Sequence, residues 1–443
     1  MSSIRIPEIS FKNKIRTFLI ICLIILINFI GSSQNKINRC SILKQEQLLK
    51  SKNPEREQQN QEFKVQINNW TLENADYASR DLIMIPVVIH LLYENDSQNI
   101  TDNQINSQIK SLNQDFSRTN TDTSKTPKDF LSVAGNANIQ FVLATVDPNG
   151  NKTNGIIRKK TTIKTFSGDD DGVKFNSKGG DDSWPTTKYF NIWVCDLGEE
   201  ILGYGEFPSS KATNTYGLVI HYNAFGTMGK VFAPYNKGRT ATHEVGHCFN
   251  LYHIWGDEPD CTQDDEISDT PLQKGENSGC PVYPQTSLSG GRCNNTDSSS
   301  MFMNYMDYSN DECMNMFSKK QVARMLAVLN VGPYSKLKSS NVWSYPTSVG
   351  ELPAINDLTQ ADISFSVYPN PSRGELYITF NLLNAKDINL IFYDMLGNKL
   401  HSQNFKNLEN NSKISLPELL PGIYFIEIIY QGKRQLQKLV LNN

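Results

Sequence analysis

The chain has 443 residues, of which 38% are hydrophobic and 20% are charged, and its formal net charge is −3 at pH 7. This length and composition are typical of a globular protein with about two or three domains, and they exclude an intrinsically disordered chain. Because no run of Lys and Arg forms a basic stripe, nucleic acid is not an expected partner.

Residues 1–34 have the pattern of a secretory signal peptide. Basic residues between positions 12 and 16 precede an apolar run over residues 18–30, and small and polar residues follow. The apolar run is shorter than the roughly 18 residues that a spanning helix needs. We therefore predict export, with no stable membrane span after the signal is removed. The alternative is a signal that stays uncleaved as an anchor.

Residues 35–80 are predicted to form a propeptide. They are very polar, being rich in Gln, Lys and Glu between positions 44 and 64, and they contain Arg39 followed by Cys40. This cysteine either has no role or serves as a ligand, because a thiolate binds zinc well. An unpaired cysteine alone does not decide between the two.

Residues 81–332 are predicted to form the main domain. Ile105, Ile109, Leu112 and Phe116 fall on one face of a helix predicted over residues 101–116, with a cap at Thr101 or Asp102. The glycine- and acid-rich residues 168–182 are interpreted as an exposed loop. Apolar, β-branched stretches predict strands over residues 82–92, 139–146, 189–195 and 217–222.

The sequence His-Glu-Val-Gly-His over residues 243–247, with a further histidine at 253, contains three of the six histidines of the chain. On a helix, His243 and His247 project from one face toward one cation, and Glu244 lies beside the open coordination position. His253 is too far along to share that face, so the helix must end and the chain must turn back near Asn250. Three imidazoles leave zinc one position for water, whose proton a carboxylate can accept. The pattern therefore predicts a catalytic zinc site with Glu244 as general base, rather than histidines that only pack a core.

This run resembles the metzincin zinc signature HExxHxxGxxH, and HEVGH followed by LYH is most similar to the pappalysin family, in its cytophagalysin and ulilysin branch. Where the general signature has glycine, this chain has Asn250, which tolerates the left-handed backbone needed there. The resemblance implies an α+β metzincin fold with a twisted mixed sheet, a zinc helix and an irregular, disulfide-stapled C-terminal subdomain. It implies a secreted zinc endopeptidase acting on proteins or peptides. It also implies latency, with Cys40 as a zinc ligand.

The stretch after the zinc helix is irregular and holds four cysteines, Cys261, Cys280, Cys293 and Cys313. Four cysteines allow three pairings, and the sequence alone does not choose between them. The resemblance implies the pairs Cys261 with Cys293 and Cys280 with Cys313.

Acidic residues also crowd this stretch, at positions 264, 265, 266 and 269. Carboxylate oxygens suit Ca²⁺, and the resemblance implies a calcium ion bound through Asp265 and Thr270. A solvated acidic loop is the alternative.

The sequence Asn-Tyr-Met-Asp-Tyr over residues 304–308 precedes a helix for which Ser318 and Gln321 predict a capping box. It resembles the Met-turn of the family. This implies that Met306 lies beneath the zinc and that Tyr308 hydrogen-bonds the developing oxyanion. In ulilysin-like proteins the position of Glu312 bears an acid in the specificity pocket, which implies a preference for Arg or Lys just after the scissile bond. A plain surface glutamate is the alternative.

Residues 333–363 are rich in Ser, Pro and Asn and predict a linker. Short strands and turns over residues 364–443 then predict a small antiparallel β-sandwich. The YPNP opening at 368–371 and the Gly-Ile-Tyr element at 422–424 resemble the C-terminal sorting domain of type IX secretion cargo. This implies the secretion machinery as a partner and a secreted or cell-surface location. An adhesive or carbohydrate-binding domain is the alternative.

Two classes of function fit these patterns: a zinc endopeptidase, or a non-catalytic cell-surface binding protein that retains a zinc site. A purely structural zinc site closes its fourth position with a protein ligand. The glutamate beside the three histidines therefore favours catalysis.

Overall fold

The computed structural model describes residues 39–74, 82–199, 201–258, 261–286, 290–294, 296–343 and, with short gaps, 365–441. The predicted signal peptide, most of the predicted linker and residues 369–371 lie outside this part of the chain. Within it, no helix combines the length and the apolar character needed to cross a membrane.

The polar segment before the main domain folds into two helices, α1 (Ile42–Lys52) and α2 (Arg56–Glu73). One face of α2 is buried, and its members recur every three or four residues: Arg56, Gln59, Phe63 and Ile67. Phe63 and Ile67 join the core of the main domain, whereas most other side chains of α2 reach solvent. The two helices, called the prosegment below together with residues 39–41, therefore cover the main domain from outside.

The main domain is built on a six-stranded sheet in the order β2-β1-β4-β6-β5, with β3 pairing the second half of β1. All pairs are parallel except that β5, at the edge, runs antiparallel to β6. Strand β1 is buried along nearly its whole length, which explains its unbroken apolar sequence. The strands are β1 (Ile83–Tyr93), β2 (Ile139–Leu143), β3 (Ile156–Lys160), β4 (Phe190–Cys195), β5 (Gly203–Gly205) and β6 (Gly217–His221).

Helices pack on this sheet and position the site. Helix α3 (Asp102–Phe116) lies where it was predicted, and the Thr101 hydroxyl caps it by accepting a hydrogen bond from the third residue at 3.2 Å. The short α4 (Lys128–Leu131) follows, and α5 (Arg239–Cys248) carries the histidine motif. Helix α6 (Lys319–Val328) starts with the predicted capping box. Apolar residues of α3, α5 and α6 share one core with the sheet.

The stretch over residues 168–182 is not the exposed loop that its composition predicted. It contains two 3-10 helices, Gly172–Lys174 and Asn176–Lys178, and it buries Asp171 and Lys174. The Lys174 ammonium lies 3.3 Å from the Asp171 carboxylate. Because pairing offsets part of the desolvation of both charges, the segment can enter the interior, and composition alone does not reveal such pairing.

The main domain also continues beyond residue 332, so the predicted start of the linker at 333 is too early. The 3-10 helix Pro333–Ser339 buries Tyr334, whose ring stacks on Tyr216 with centroids 3.6 Å apart. The carbonyl of Val342 accepts backbone hydrogen bonds from the chain just after β2. Serine and lysine are frequent in this segment, so its composition did not reveal that Tyr334 and Leu337 are buried.

The C-terminal strands form two antiparallel sheets in the orders β10-β9-β12-β13 and β11-β8-β7. Apolar side chains from both sheets form one core, which confirms the predicted small sandwich. The strands are β7 (Phe365–Tyr368), β8 (Glu375–Phe380), β9 (Ala385–Tyr393), β10 (Lys399–Leu408), β11 (Ser412–Ser415), β12 (Gly422–Tyr430) and β13 (Lys433–Leu441).

Candidate metal centre

The three predicted zinc ligands converge in the interior. The Nε2 atoms of His243, His247 and His253 lie 3.2, 3.1 and 3.1 Å from one another, and all three side chains are buried. A tetrahedral zinc ion with nitrogen ligands at about 2.0–2.1 Å separates those nitrogens by about 3.3 Å. The triangle therefore fits one zinc ion.

The turn after α5 brings the third histidine back to the first two. Asn250 has φ 67°, in the left-handed region, as the sequence predicted. The backbone N–H of Leu251 then donates to the carbonyl of Gly246 at 2.9 Å and closes the helix end. The chain reverses at this point, so His253 faces the helix it has just left.

The second ring nitrogen of each histidine is held by an acceptor, which directs Nε2 toward the centre. Burial lowers the pKa of His243 and of His247 well below its ordinary value, and the neighbouring histidines lower it further, so both imidazoles are neutral and able to bind a metal. The acceptors for the three Nδ1 atoms, in chain order, are the carbonyls of Tyr305 (2.7 Å) and Leu251 (2.7 Å) and the carboxylate of Asp257. The sequence analysis missed Asp257, whose one signal is its place four residues after a ligand.

Met306 lies against the zinc helix and is fully buried, and its place beneath a zinc ion stays a prediction. Its sulfur packs so tightly on Gly246 that a Cβ atom at this position would collide with it. The glycine within the histidine motif is therefore required by a contact with a distant turn. The sequence of the motif alone does not predict this contact.

Glu244 and Cys40 lie on the open side of the histidine triangle. The Cys40 sulfur and the three histidine nitrogens all lie within 4.8 Å of one another, so the thiol stands where a tetrahedral ion has its fourth ligand. The thiol also donates to Glu244 Oε2 at 3.4 Å. Burial raises the pKa of Glu244 to about 8, and burial together with the charge of Glu244 raises the pKa of Cys40 well above its usual value.

Tyr308 borders the same space, with its ring centroid 5.6 Å from that of His243 and 5.0 Å from that of His253. Its hydroxyl donates to the backbone carbonyl of Cys40 at 3.4 Å. Burial raises the pKa of Tyr308 well above its usual value, so the hydroxyl keeps its proton and remains a donor.

Glu312 is exposed, which fits the alternative of a surface glutamate better than its predicted place in a specificity pocket. Its carboxylate lies 3.3 Å from the sulfur of Cys280. The preceding residue, Asp311, is fully buried instead. Neighbouring residues in a turn point in different directions, and the sequence alone does not show which member of the acidic pair is buried.

Asp311 forms the floor of an acidic pocket filled by the prosegment. Its Oδ1 accepts a hydrogen bond from Arg39 at 2.7 Å, and Arg39 also donates to the carbonyl of Ser309 at 2.6 Å. Backbone N–H groups of Lys237 and Arg239, at the start of α5, donate to Oδ2 at 2.9 and 3.2 Å. A guanidinium is thus held one residue away from the thiol at the metal centre.

Two buried networks hold the Met-turn, and the sequence analysis missed both. Asp115 of α3 accepts a hydrogen bond from the Tyr305 hydroxyl at 3.2 Å and pairs with Arg239 of α5. Asp307 accepts backbone hydrogen bonds from Asn277 and Tyr308, each at 2.7 Å, and burial raises its pKa to about 6. The partners are far apart in the sequence, so no local pattern identifies them.

The disulfides Cys261–Cys293 and Cys280–Cys313 are both present, which confirms the pairing implied by the family resemblance. Their Cα atoms lie 5.9 and 5.7 Å apart, within the usual range. The two bridges hold the irregular stretch that carries the Met-turn and the Asp311 pocket.

The acidic residues near position 265 form hydrogen bonds with other groups of the same chain. Asp265 is buried, and its Oδ1 accepts from the Thr270 hydroxyl at 2.8 Å and from the backbone N–H of Ile267 at 3.1 Å. The Arg324 guanidinium donates to the carbonyls of Asp265 and Glu266 at 2.9 and 3.0 Å. Burial raises the pKa of Asp265 to about 7. Calcium binding through Asp265 and Thr270 stays a prediction.

Two family descriptions match the chain. The family described as pregnancy-associated plasma protein-A matches residues 174–330, and the family described as secretion system C-terminal sorting domain matches residues 366–442. The first range contains the histidines and the Met-turn, and the second contains the sandwich.

Several proteins are similar over most of their own length. An extracellular metalloprotease of Arthroderma benhamiae is 31% identical over 272 residues, covering 60% of this chain and 84% of the relative. Mature mirolysin of Tannerella forsythia, solved in complex with a cleaved peptide, is 51% identical over 58% of this chain and 96% of that chain, with a TM-score of 0.56. A promirolysin mutant of the same organism is 47% identical over 68% of this chain and 97% of that chain, with a TM-score of 0.62.

Proposed function

Since this chain belongs to the pappalysin family and is a secreted or cell-surface metalloendopeptidase, we propose that it cleaves peptide bonds at a zinc ion held by His243, His247 and His253, with Glu244 as general base. The observation that carries the proposal is the buried triangle of three Nε2 atoms with a carboxylate on its open side. The alternative of a non-catalytic binding protein has no such support, because the relatives that match most of their length are metalloproteases.

Each residue around the centre has a role in this proposal. Zinc, when bound, would polarise the substrate carbonyl and acidify the attacking water. Glu244, on the open side of the histidine triangle, accepts the proton of that water and passes it to the departing amine. Tyr308 donates a hydrogen bond to the carbonyl oxygen as that oxygen gains negative charge, as it donates to the Cys40 carbonyl here. Met306 supports the ligands from below.

Zinc content and peptide cleavage should fall together when a ligand is removed. Wild-type protein should hold one zinc ion per chain, and His253→Ala should weaken zinc binding by at least about 100-fold, because losing a ligand exceeds the loss of an outer partner. Elemental analysis and peptide cleavage on the same samples measure both quantities. His401→Ala, in the sandwich, is the control. An unchanged zinc content in His253→Ala would exclude this histidine as a ligand.

We assign recognition of a basic side chain after the scissile bond to Asp311. The support is the Arg39 guanidinium, which fills a buried pocket on this carboxylate next to the thiol at the fourth ligand position. A prosegment that blocks the cleft in this way imitates the side chain that a substrate would place there. Charge-assisted hydrogen bonds to a buried carboxylate favour a guanidinium over any neutral group.

Asp311→Asn should therefore lower the preference for arginine at this position. Hydrogen bonds to charged groups contribute about 1.5–3 kcal/mol each, so we expect the kcat/KM ratio of an arginine peptide to its citrulline analogue to fall by about 10- to 100-fold. The matched control is Glu312→Gln, on the neighbouring exposed residue, which should leave the ratio as in wild type. A folded Asp311→Asn enzyme with an unchanged ratio would assign the preference to another residue.

Residues 364–443 are proposed to be an address for the secretion machinery, supported by the match to a sorting domain. A chain truncated after residue 343 should keep its catalytic fold and its peptide cleavage, because the main core lies upstream of that point. In the native host it should accumulate in the periplasm. Cell fractionation followed by immunoblotting tests this, and release of the truncated chain at the wild-type level would contradict it.

A further inference from the structure

The prosegment buries a second arginine, Arg56 of α2, in a pocket of the main domain. Its side chain is 1% exposed. The guanidinium donates to the carbonyl of Phe207 at 2.6 Å and to the hydroxyl of Ser209 at 3.1 Å, and it lies 3.6 Å from the carboxylate of Glu206. Glu46, within the prosegment itself, accepts two further hydrogen bonds at 3.3 and 3.1 Å. Desolvating a guanidinium is costly without such partners, so this pocket is matched to its charge and shape.

Most of these partners remain when the prosegment leaves. Glu206, Phe207 and Ser209 belong to the main domain, and only Glu46 departs with the helix. Glu206 is fully buried, and its Oε2 atom has no hydrogen-bond partner within the described structure. The ammonium of Lys174 lies 3.8 Å from Glu206 and 3.3 Å from Asp171, so two carboxylates share one ammonium. The emptied pocket therefore retains one excess negative charge, a carbonyl acceptor and a hydroxyl acceptor.

The pocket adjoins the catalytic centre. The Phe207 ring contacts the ring of His247, with centroids 5.4 Å apart. Along the prosegment, Arg39 fills the Asp311 pocket, Cys40 reaches the metal centre, and the backbone N–H of Ser41 donates to the carbonyl of Gly203 in β5 at 3.2 Å. Helix α1 and then Arg56 follow. Arg39 therefore precedes Cys40 in the sequence, and Arg56 follows it.

We propose that Glu206, with the Phe207 carbonyl and the Ser209 hydroxyl, forms a second subsite of the mature enzyme that binds a basic side chain of the substrate. In this proposal the subsite binds a residue before the scissile bond, and the Asp311 pocket binds the residue after it. Arginine is the preferred occupant, because a planar guanidinium reaches a carboxylate, a carbonyl and a hydroxyl at once, whereas an ammonium does not present that fork. The inference rests on the proposed function, since it needs peptide cleavage and loss of the prosegment.

The test uses mature wild-type enzyme and peptides with arginine fixed after the scissile bond. Each position before that bond carries arginine, its neutral isostere citrulline, or alanine in turn. We expect one position at which arginine exceeds citrulline by about tenfold in kcat/KM, the effect of one charge-assisted hydrogen-bonded contact. In Glu206→Gln that ratio should fall close to one, while the arginine preference after the scissile bond is retained.

Ser209→Ala is the second variant, because it removes one acceptor and leaves the charges around Lys174 in place. It should lower the same ratio by about threefold. If Glu206→Gln fails to fold, as judged by circular dichroism, the ratio in Ser209→Ala tests the second subsite instead. A wild-type ratio near one at every position, or a ratio unchanged in a folded variant, would overturn the second subsite while leaving the protease intact. Absence of cleavage of every peptide by folded, zinc-loaded wild type would instead overturn the proposed function, and the subsite with it.

Discussion

Mature Glu244→Ala enzyme should cleave peptides at least about 1,000-fold more slowly than wild type while binding zinc equally well. The carboxylate lies on the open side of the histidine triangle and is not one of its three nitrogens, so its loss removes proton transfer and leaves the ligands in place. General base catalysis contributes about 10²- to 10⁴-fold, and this base serves both the attack of water and the departure of the amine.

Cleavage of a peptide or of gelatin, measured with zinc content on the same samples, separates the two effects. Glu244→Gln is the matched variant, because it keeps the size of the side chain and removes only its ability to accept a proton as a carboxylate. Both variants should show this loss of activity and hold as much zinc as wild type. Activity equal to wild type in Glu244→Ala would end the assignment of this residue as general base.

Full-length Cys40→Ala protein should cleave peptides before any processing, at a rate at least about tenfold above that of full-length wild type. The Cys40 sulfur stands at the fourth ligand position, and a thiolate bound there excludes the reactive water. A tenfold rise corresponds to about 1.4 kcal/mol of lost prosegment binding, a modest share for a metal ligand. Arg39 and Arg56 still hold the prosegment, so activity should stay below that of the mature enzyme.

Ser41→Ala is the control for this experiment, since it alters the adjacent side chain and leaves the thiol. The rate should be followed with time, alongside electrophoresis, so that self-processing is distinguished from activity of the intact chain. If intact Cys40→Ala protein is no more active than intact wild type, then the thiol is not a latency switch.

Local sequence patterns predicted the structure correctly where its geometry depends only on neighbouring residues. The helix spacing of His243 and His247, the left-handed Asn250 and the capping box of Ser318 with Gln321 all depend on neighbours within a few residues, and all were found from the sequence. Family resemblance supplied the disulfide pairing and the Met-turn, which local patterns leave open.

The sequence did not predict contacts between distant residues, nor which of two neighbouring side chains would be buried. Arg239 and Asp115 meet only after two helices have packed on one sheet. Asp311 and Glu312 are adjacent acids, and only the conformation of their turn decides which one is buried. The buried charges around Lys174 looked like solvent-exposed polarity, because their pairing partners lie in other segments.

Under the proposed function, the position of β5 at the edge of the sheet limits where in a target protein this enzyme can act. An antiparallel edge strand presents main-chain carbonyls outward, and Gly203 already accepts the Ser41 N–H in this way. A bound peptide that uses the same groups must adopt an extended conformation, because only an extended backbone matches the spacing of a strand. If the enzyme prefers arginine as we propose, we expect an arginine within a stable helix of a folded target to resist cleavage. We therefore expect cleavage of native targets at their frayed termini, interdomain linkers and unstructured loops.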